Sequence, residues 1–186
     1  MISKQLFIGL GIFIFFIGMS VGYFSTSDYL MNSQSRLDHK TLGKVDRYLD
    51  LRYLEAMIAH HRSALELATD ASEKLNRPEA FAITNAIKAD EPALIKKLEN
   101  LRTQMFGSVR DPYPVKKILI GEKNANIDLR FLNALIFHHL EGIEMTQEIR
   151  SKSSNSEILD DADAVENFLR ESLIKLKSLR RDWYGI

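Results

Sequence analysis

The sequence predicts an all-α protein in which one membrane-spanning helix precedes a bundle of four helices. Three observations predict this fold class: an uncharged apolar run near the N-terminus, an internal repeat with an offset of 78 residues, and two long helical patterns in each repeat. Strand patterns are weak, since only the short stretch KKILI is compatible with extended structure.

The N-terminal apolar run is long enough to span a membrane. Residues 6–24 carry no charge, and about 20 helical residues cross a hydrocarbon core roughly 30 Å thick. A cleaved secretory signal is the alternative, but its apolar part is usually about 7–15 residues long and ends in a small-residue cleavage site, which SVGYFSTS matches poorly. We therefore expect an uncleaved anchor at residues 1–24, a polar linker at residues 25–41, and a C-terminal part outside the cytoplasm, on the periplasmic side.

The repeat defines the rest of the chain. Adding 78 to the residue numbers aligns DLRYLEAMIAHHRSALE with DLRFLNALIFHHLEGIE without a gap, and the same offset matches leucines, an arginine and a glycine near the ends of both repeats. A duplication explains this better than chance. We predict a four-helix domain at residues 42–186, with repeat one at residues 42–107, a connector at residues 108–126 and repeat two at residues 127–186.

Each repeat has the pattern of a helical hairpin. In repeat one the first helix is expected to stop near Asn76 and the second to run from about residue 79 to residue 106, because Pro78 suits the start of a helix and Gly107 its end. In repeat two the helices are expected at residues 128–150 and 156–184. Two hairpins related by an approximate twofold axis form a four-helix bundle. Asp128 is the better N-cap candidate of the two repeated aspartates.

Composition excludes several classes of function. Lys and Arg balance Asp and Glu, so the chain lacks the basic surface that nucleic-acid binding needs. The absence of cysteine excludes disulfides, thiolate catalysis and cysteine-ligated zinc. The sequence has no catalytic triad order, phosphate-binding glycine loop or Glu-x-x-His pair of a di-iron centre. We expect neither an enzyme nor a nucleic-acid partner, and the sequence identifies no protein partner.

Four of the five histidines form two adjacent pairs, one in the first helix of each repeat. Neighbouring helical residues point about 100° apart, so we expect His61 and His139 on the apolar stripe of their helices and His60 and His138 at its edge. If the two first helices pack together, the four imidazoles approach one another from facing helices. Bundle cores build metal sites in this way.

The histidine pairs and nearby methionines have two interpretations. Imidazole is a common metal ligand, and thioether sulfur favours Cu(I). Met57 shares a helix face with His60 and His61, whereas Met145 lies two turns, about 10 Å, beyond His138. Alternatively, the histidines are hydrogen-bonded core residues and the methionines fill gaps in the core.

The two histidine helices resemble the family catalogued as domain of unknown function 305. The resemblance covers residues from about 45 to 186 and is carried twice. The residues of the family pattern that this chain keeps are Asp50, Met57, His60, His61, Asp128, His138, His139 and Met145. Leu67 and Leu135 occupy the remaining methionine positions, and the second helices keep only the apolar spacing of the family signature. The resemblance implies a ferritin-like helical bundle, commonly exported, with copper binding or tolerance in some members.

The function expected from these patterns is a membrane-anchored, extracytoplasmic bundle that binds or buffers a soft metal such as copper. The candidate metal ligands are Met57, His60, His61, His138, His139 and Met145. The alternative is a structural or protein-interaction bundle that needs no metal and whose core histidines are hydrogen-bonded.

Overall fold

The computed structural model describes residues 42–107 and 113–186. This part of the chain contains four helices and no strand. The helices are α1 (Leu49–Ala71), α2 (Pro78–Phe106), α3 (Ile127–Arg150) and α4 (Ser156–Tyr184). The all-α prediction is confirmed for these residues. α1 ends before the predicted stop near Asn76, because the chain turns after Ala71, whose carbonyl accepts a hydrogen bond from the Lys74 N–H.

The predicted membrane anchor at residues 1–24 and the linker at residues 25–41 lie outside the described residues. In the two described ranges, no helix is both long enough and apolar enough to cross a membrane. The described part of the connector, residues 113–126, has no regular secondary structure, so the KKILI stretch forms no strand.

The internal repeat extends to the loops that precede α1 and α3. Arg52 donates a hydrogen bond to the carbonyl of Lys44, and Arg130 donates one to the repeat-related carbonyl of Glu122. Each loop turns at a glycine with positive φ, a conformation that glycine adopts at little steric cost: Gly43 and Gly121. The two repeats therefore enter their first helices through equivalent loops.

α1 and α3 pack side by side and antiparallel at the centre of the fold. Asp50, near the start of α1, accepts a hydrogen bond from Ser153 beyond the end of α3, and Asp128, near the start of α3, accepts one from the N–H of Asn76 beyond the end of α1. The N-cap prediction for Asp128 is wrong, since Asn126 occupies that position and makes no side-chain capping bond. The buried Asp128 carboxylate instead joins the two repeats.

α2 packs along α1, and α4 packs along α3. The apolar core divides into two clusters. We call the first the methionine cluster, and its members include Leu49, Tyr53, Met57, Leu98, Met105, Met145, Ile149 and Ile158. We call the second the tryptophan cluster, and its members include Leu67, Ala71, Ala80, Phe131, Leu135, Leu176 and Trp183. On each of the four helices, one cluster occupies one end and the other cluster occupies the other end.

Candidate metal centre

The four paired histidines lie between the two apolar clusters. His60 and His61 are near the middle of α1, and His138 and His139 are near the middle of α3. Because α1 and α3 are antiparallel, their midpoints meet, and the packing brings the two pairs to the same level of the bundle. We call this group of four the histidine layer.

His60 and His138 form the centre of the histidine layer. Their ring centroids are 3.7 Å apart and their planes differ by only 4°, so the rings are stacked face to face across the α1–α3 interface. The centroids of His60 and His61 are 6.1 Å apart, and those of His138 and His139 are 6.4 Å apart. The structure therefore brings all four imidazoles into one cluster.

The outer two histidines turn toward the second helix of their own hairpin. The Nδ1 of His61 lies 2.7 Å from a carboxylate oxygen of Glu91 on α2, and the Nε2 of His139 lies 2.9 Å from the hydroxyl of Ser172 on α4. This differs from the prediction that His61 and His139 point to the shared core. The difference arises because α1 and α3 each pack against two neighbours, so both ring directions are covered by protein.

Gly142 allows the close approach at the centre. A Cβ atom at this position would lie 2.8 Å from the Nε2 of His60 and 2.6 Å from a methyl carbon of Leu169. Real Cβ atoms essentially never make contacts this short. Repeat one has Ala64 at the equivalent position, so the two repeats are not equivalent at the stacked pair.

The Nε2 of His60 has no hydrogen-bond partner among the described residues, although it is buried. His60 as a whole residue is half-buried. A buried polar atom without a partner costs roughly 1–3 kcal/mol. A bound metal ion is one way to satisfy such a nitrogen, so the donor atoms of the layer fit a metal site.

Burial keeps three of the four imidazoles neutral. It lowers the pKa of His60 well below its usual value, an effect to which the neighbouring His138 adds. Burial lowers the pKa of His138 to about 3 and that of His139 to about 4. At neutral pH these three imidazoles are uncharged, which is the form that binds metals.

The connector crosses close to the layer. The backbone N–H of Lys116 donates to the hydroxyl of Ser63, and its ammonium group lies 2.7 Å from Glu141. Ser63 and Glu141 occupy the same position of the two repeats, three residues after His60 and His138. One connector residue thus bridges α1 and α3 beside the stacked rings.

Both candidate methionines lie on the same side of the histidine layer. Met57 is fully buried in the methionine cluster, and the partly buried Met145 packs against that cluster. The repeat-related positions are Leu135 and Leu67, and both lie in the tryptophan cluster. The antiparallel packing of α1 and α3 therefore places the two thioethers, one from each repeat, at one end of the bundle.

The side chains of the histidine layer are not positioned as a complete set of metal ligands. Within residues 42–107 and 113–186, no group of three or more His, Asp or Glu side chains is placed to hold a metal ion. Stacked imidazoles present their faces to each other, whereas a metal ion binds the lone pair in the plane of the ring. An ion shared by His60 and His138 would require one ring to rotate.

Glu91 and Ser172, which contact the outer histidines, were not predicted from the sequence. The repeat hides both, because Leu169 stands at the position equivalent to Glu91 and Leu94 at the position equivalent to Ser172. A signal for Glu91 does exist. It lies four residues from Ile87 and four from Ile95, so an acidic side chain occupies the apolar face of α2.

Solved structures share this fold. CopM in the apo form aligns with a TM-score of 0.63 at 23% identity, covering 73% of this chain and 98% of that chain. CopM in the Cu(I)-bound form aligns with a TM-score of 0.60 at the same identity and coverage. A DUF305 fragment from Deinococcus radiodurans aligns with a TM-score of 0.58 at 15% identity, covering 74% of this chain and 98% of that chain. At these identities the likeness establishes the fold alone, and no curated protein matches the sequence.

A family model confirms the resemblance in the first repeat. The model described as Domain of unknown function (DUF305) matches residues 26–105, which contain the His60–His61 pair and nearly all of the α1–α2 hairpin. The second histidine pair lies beyond the matched residues. The chain is therefore similar to the DUF305 family through its first repeat.

Proposed function

We propose that this protein binds a soft metal ion, copper(I) above all, in the histidine layer, and that it stores or buffers the ion without catalysing a reaction. One observation carries the proposal: neutral, buried imidazoles from two repeats meet at the α1–α3 interface, where the Nε2 of His60 has no partner among the described residues.

The donor atoms near the layer select among metals. Imidazole nitrogen and thioether sulfur suit copper and silver, whereas Ca²⁺ and Mg²⁺ require sets of oxygen ligands. His60 and His138 are the proposed central ligands, with His61 and His139 beside them. Met57 lies one turn from His60 on the same helix and is the nearer thioether. Met145 is the more distant donor, since it lies two turns from His138.

The structural relatives support this choice of metal. CopM has been solved in Cu(I)-bound, Cu(II)-bound and silver-bound forms, and it shares the four-helix fold of this chain. Only the class of ligand is taken from CopM. The residues proposed here come from the geometry of this chain.

Metal titration of the full-length protein in detergent micelles tests the proposal. We expect stoichiometric binding of Cu(I) under anaerobic conditions, and of Ag(I), in competition with a colorimetric chelator. The double variant His60→Ala/His138→Ala should lose this binding. The matched control is His39→Ala, which removes the fifth histidine and should leave the stoichiometry unchanged. Binding that survives the double variant, or no binding by the unaltered protein, would contradict the proposal.

A metal-free structural role is the second candidate. It is favoured by the bonds from His61 to Glu91 and from His139 to Ser172, which satisfy one nitrogen of each outer ring. Under this alternative, the melting temperature does not change with Cu(I) or Ag(I). A ligand that binds only the folded state raises it, so thermal melts with and without metal separate the two candidates.

We also propose that residues 1–24 anchor the protein and that the bundle lies outside the cytoplasm. The support is the uncharged run at residues 6–24. A C-terminal alkaline phosphatase fusion should be active, and fractionation should place it with the membranes. Deleting residues 1–24 should abolish both results. An active fusion in the soluble fraction would contradict the anchor.

A further inference from the structure

Glu91 contacts one histidine of the layer from outside. Its side chain is 13% exposed and that of His61 is 11% exposed, and the Nδ1 of His61 lies 2.7 Å from its carboxylate. At such a shielded position, water competes weakly for the hydrogen bond. The position lies between the apolar ends of α2, at the level of the four imidazoles.

The chemistry of the carboxylate determines which ring nitrogen is available. An ionised carboxylate only accepts hydrogen bonds, so the Nδ1 of His61 must carry the proton. In the neutral ring the lone pair is then on Nε2. Carboxylate partners of this kind orient metal-binding histidines and make the opposite nitrogen a stronger ligand.

Repeat two has no carboxylate at the position equivalent to Glu91. Leu169 replaces Glu91 there, and the partner of His139 is the hydroxyl of Ser172, which contacts the other ring nitrogen, Nε2. A hydroxyl can donate or accept. Ser172 therefore does not dictate which nitrogen of His139 carries the proton. The hydroxyl of Ser172 and the backbone carbonyl of Leu135, which also bonds to this ring, are both uncharged, so of the two outer histidines only His61 has a carboxylate partner.

We propose that Glu91 is a positioning residue that holds His61 with Nδ1 protonated and presents Nε2 to the metal, making repeat one the tighter-binding half of the histidine layer. The ligand part of this inference rests on the proposed function. The tautomer part does not, because it concerns the metal-free protein.

The first experiment measures the tautomer directly. Long-range proton–nitrogen NMR correlations on the full-length, metal-free protein with ¹⁵N-labelled histidine distinguish the two forms, and His61→Gln assigns the signal. We expect His61 in the Nδ1–H form, and we expect Glu91→Leu to lose that preference. An Nε2–H form in the unaltered protein overturns the inference, whatever the metal result.

The second experiment measures Ag(I) affinity by chelator competition. Glu91→Leu, which installs the residue of repeat two, should weaken binding about 10–100-fold, the usual effect of losing such a partner. The matched control is Glu99→Leu on the same helix, whose carboxylate pairs with Arg62 and not with a histidine. It should bind like the unaltered protein, and His61→Ala should weaken binding more than His139→Ala.

Each result decides between the possibilities. Equal affinity of Glu91→Leu and the unaltered protein overturns the inference while leaving the proposed function intact. No silver binding by the unaltered protein overturns the proposed function and the ligand role of His61 together. If Glu91→Leu does not fold, Glu91→Gln replaces it: an affinity loss supports the inference, and unchanged affinity overturns it.

Discussion

At the scale of single residues, Gly142 controls how closely the stacked histidines are packed. Its missing Cβ leaves the space that the edge of the His60 ring occupies. Repeat one has Ala64 at the same position, so a methyl group is present on only one side of the stacked pair. The glycine is thus explained by a close approach, and not by an unusual backbone conformation.

Gly142→Ala tests this close approach. In an unobstructed helix the change stabilises by roughly 0.5–1 kcal/mol, whereas overpacking costs about 1–3 kcal/mol. We expect a net loss in the free energy of unfolding, measured by denaturant titration, together with weaker Cu(I) binding. Ala64→Gly is the control, and it should cost the helix propensity and the burial of one methyl group. A gain in stability for Gly142→Ala would show that His60 can move aside without penalty.

The low pKa values of the buried histidines predict acid sensitivity. In the unfolded chain the histidines have a pKa near 6.5, whereas in the folded protein the pKa of His138 is about 3 and that of His139 is about 4. Between these values the unfolded state binds more protons, so stability falls as pH falls, by up to about 1.4 kcal/mol per pH unit for each histidine. Denaturant titrations from pH 7 to pH 4 measure the slope. His138→Gln should reduce it, and an unchanged slope would contradict the low pKa of His138.

At the scale of the helices, reciprocal bonds between helix starts and the opposite loops hold α1 against α3. Asp128 is the stronger of the two contacts, because its buried carboxylate accepts from a backbone N–H, whereas Asp50 accepts from the hydroxyl of Ser153. The hydroxyl can turn to other partners, and the backbone N–H of Asn76 cannot.

Replacing the two aspartates should therefore have unequal effects. Asp128→Ala leaves the N–H of Asn76 without its partner and should lower the free energy of unfolding by about 1–3 kcal/mol. Asp50→Ala is the matched change in repeat one and should cost less. Thermal or denaturant melts of both variants measure the difference. Equal losses would mean that the two ends of the α1–α3 pair are equivalent.

Helix positions were largely predictable, because their signals are local. Pro78, Gly107 and the internal repeat gave the bounds of α2, α3 and α4 to within a residue. The contact partners of the side chains were not predictable from the sequence. Which helix covers His61, and where the Asp128 carboxylate reaches, depends on neighbours far away in the chain. Glu91 was overlooked because repeat comparison favours shared residues, and Glu91 is unique to repeat one.

At the scale of the whole molecule, the duplicated bundle has become chemically one-sided. At two repeat-related positions one repeat has a leucine where the other has a methionine, and the antiparallel packing puts both leucines at one end and both methionines at the other. The sequence showed the two substitutions. Only the packing shows that they fall in the same half of the core.

Met57→Leu tests whether this asymmetry matters for metal. Leucine and methionine exchange in cores at a cost usually below about 1.5 kcal/mol, so the fold should be retained. Loss of a thioether ligand should weaken Cu(I) binding by about tenfold, equivalent to roughly 1.4 kcal/mol. The control is Met105→Leu on α2, in the same cluster. Equal affinities in chelator competition would reduce Met57 to a packing residue.

The separation of the two apolar clusters has a consequence for how the protein unfolds. The polar histidine layer separates the two apolar clusters. Each half of the bundle can therefore open locally by itself when few contacts cross the layer. An ion bound in the histidine layer by both repeats would hold the two halves of the bundle together. Amide hydrogen exchange should then slow at both ends of the bundle at once when the ion is loaded, turning two partly separate opening events into a single cooperative one.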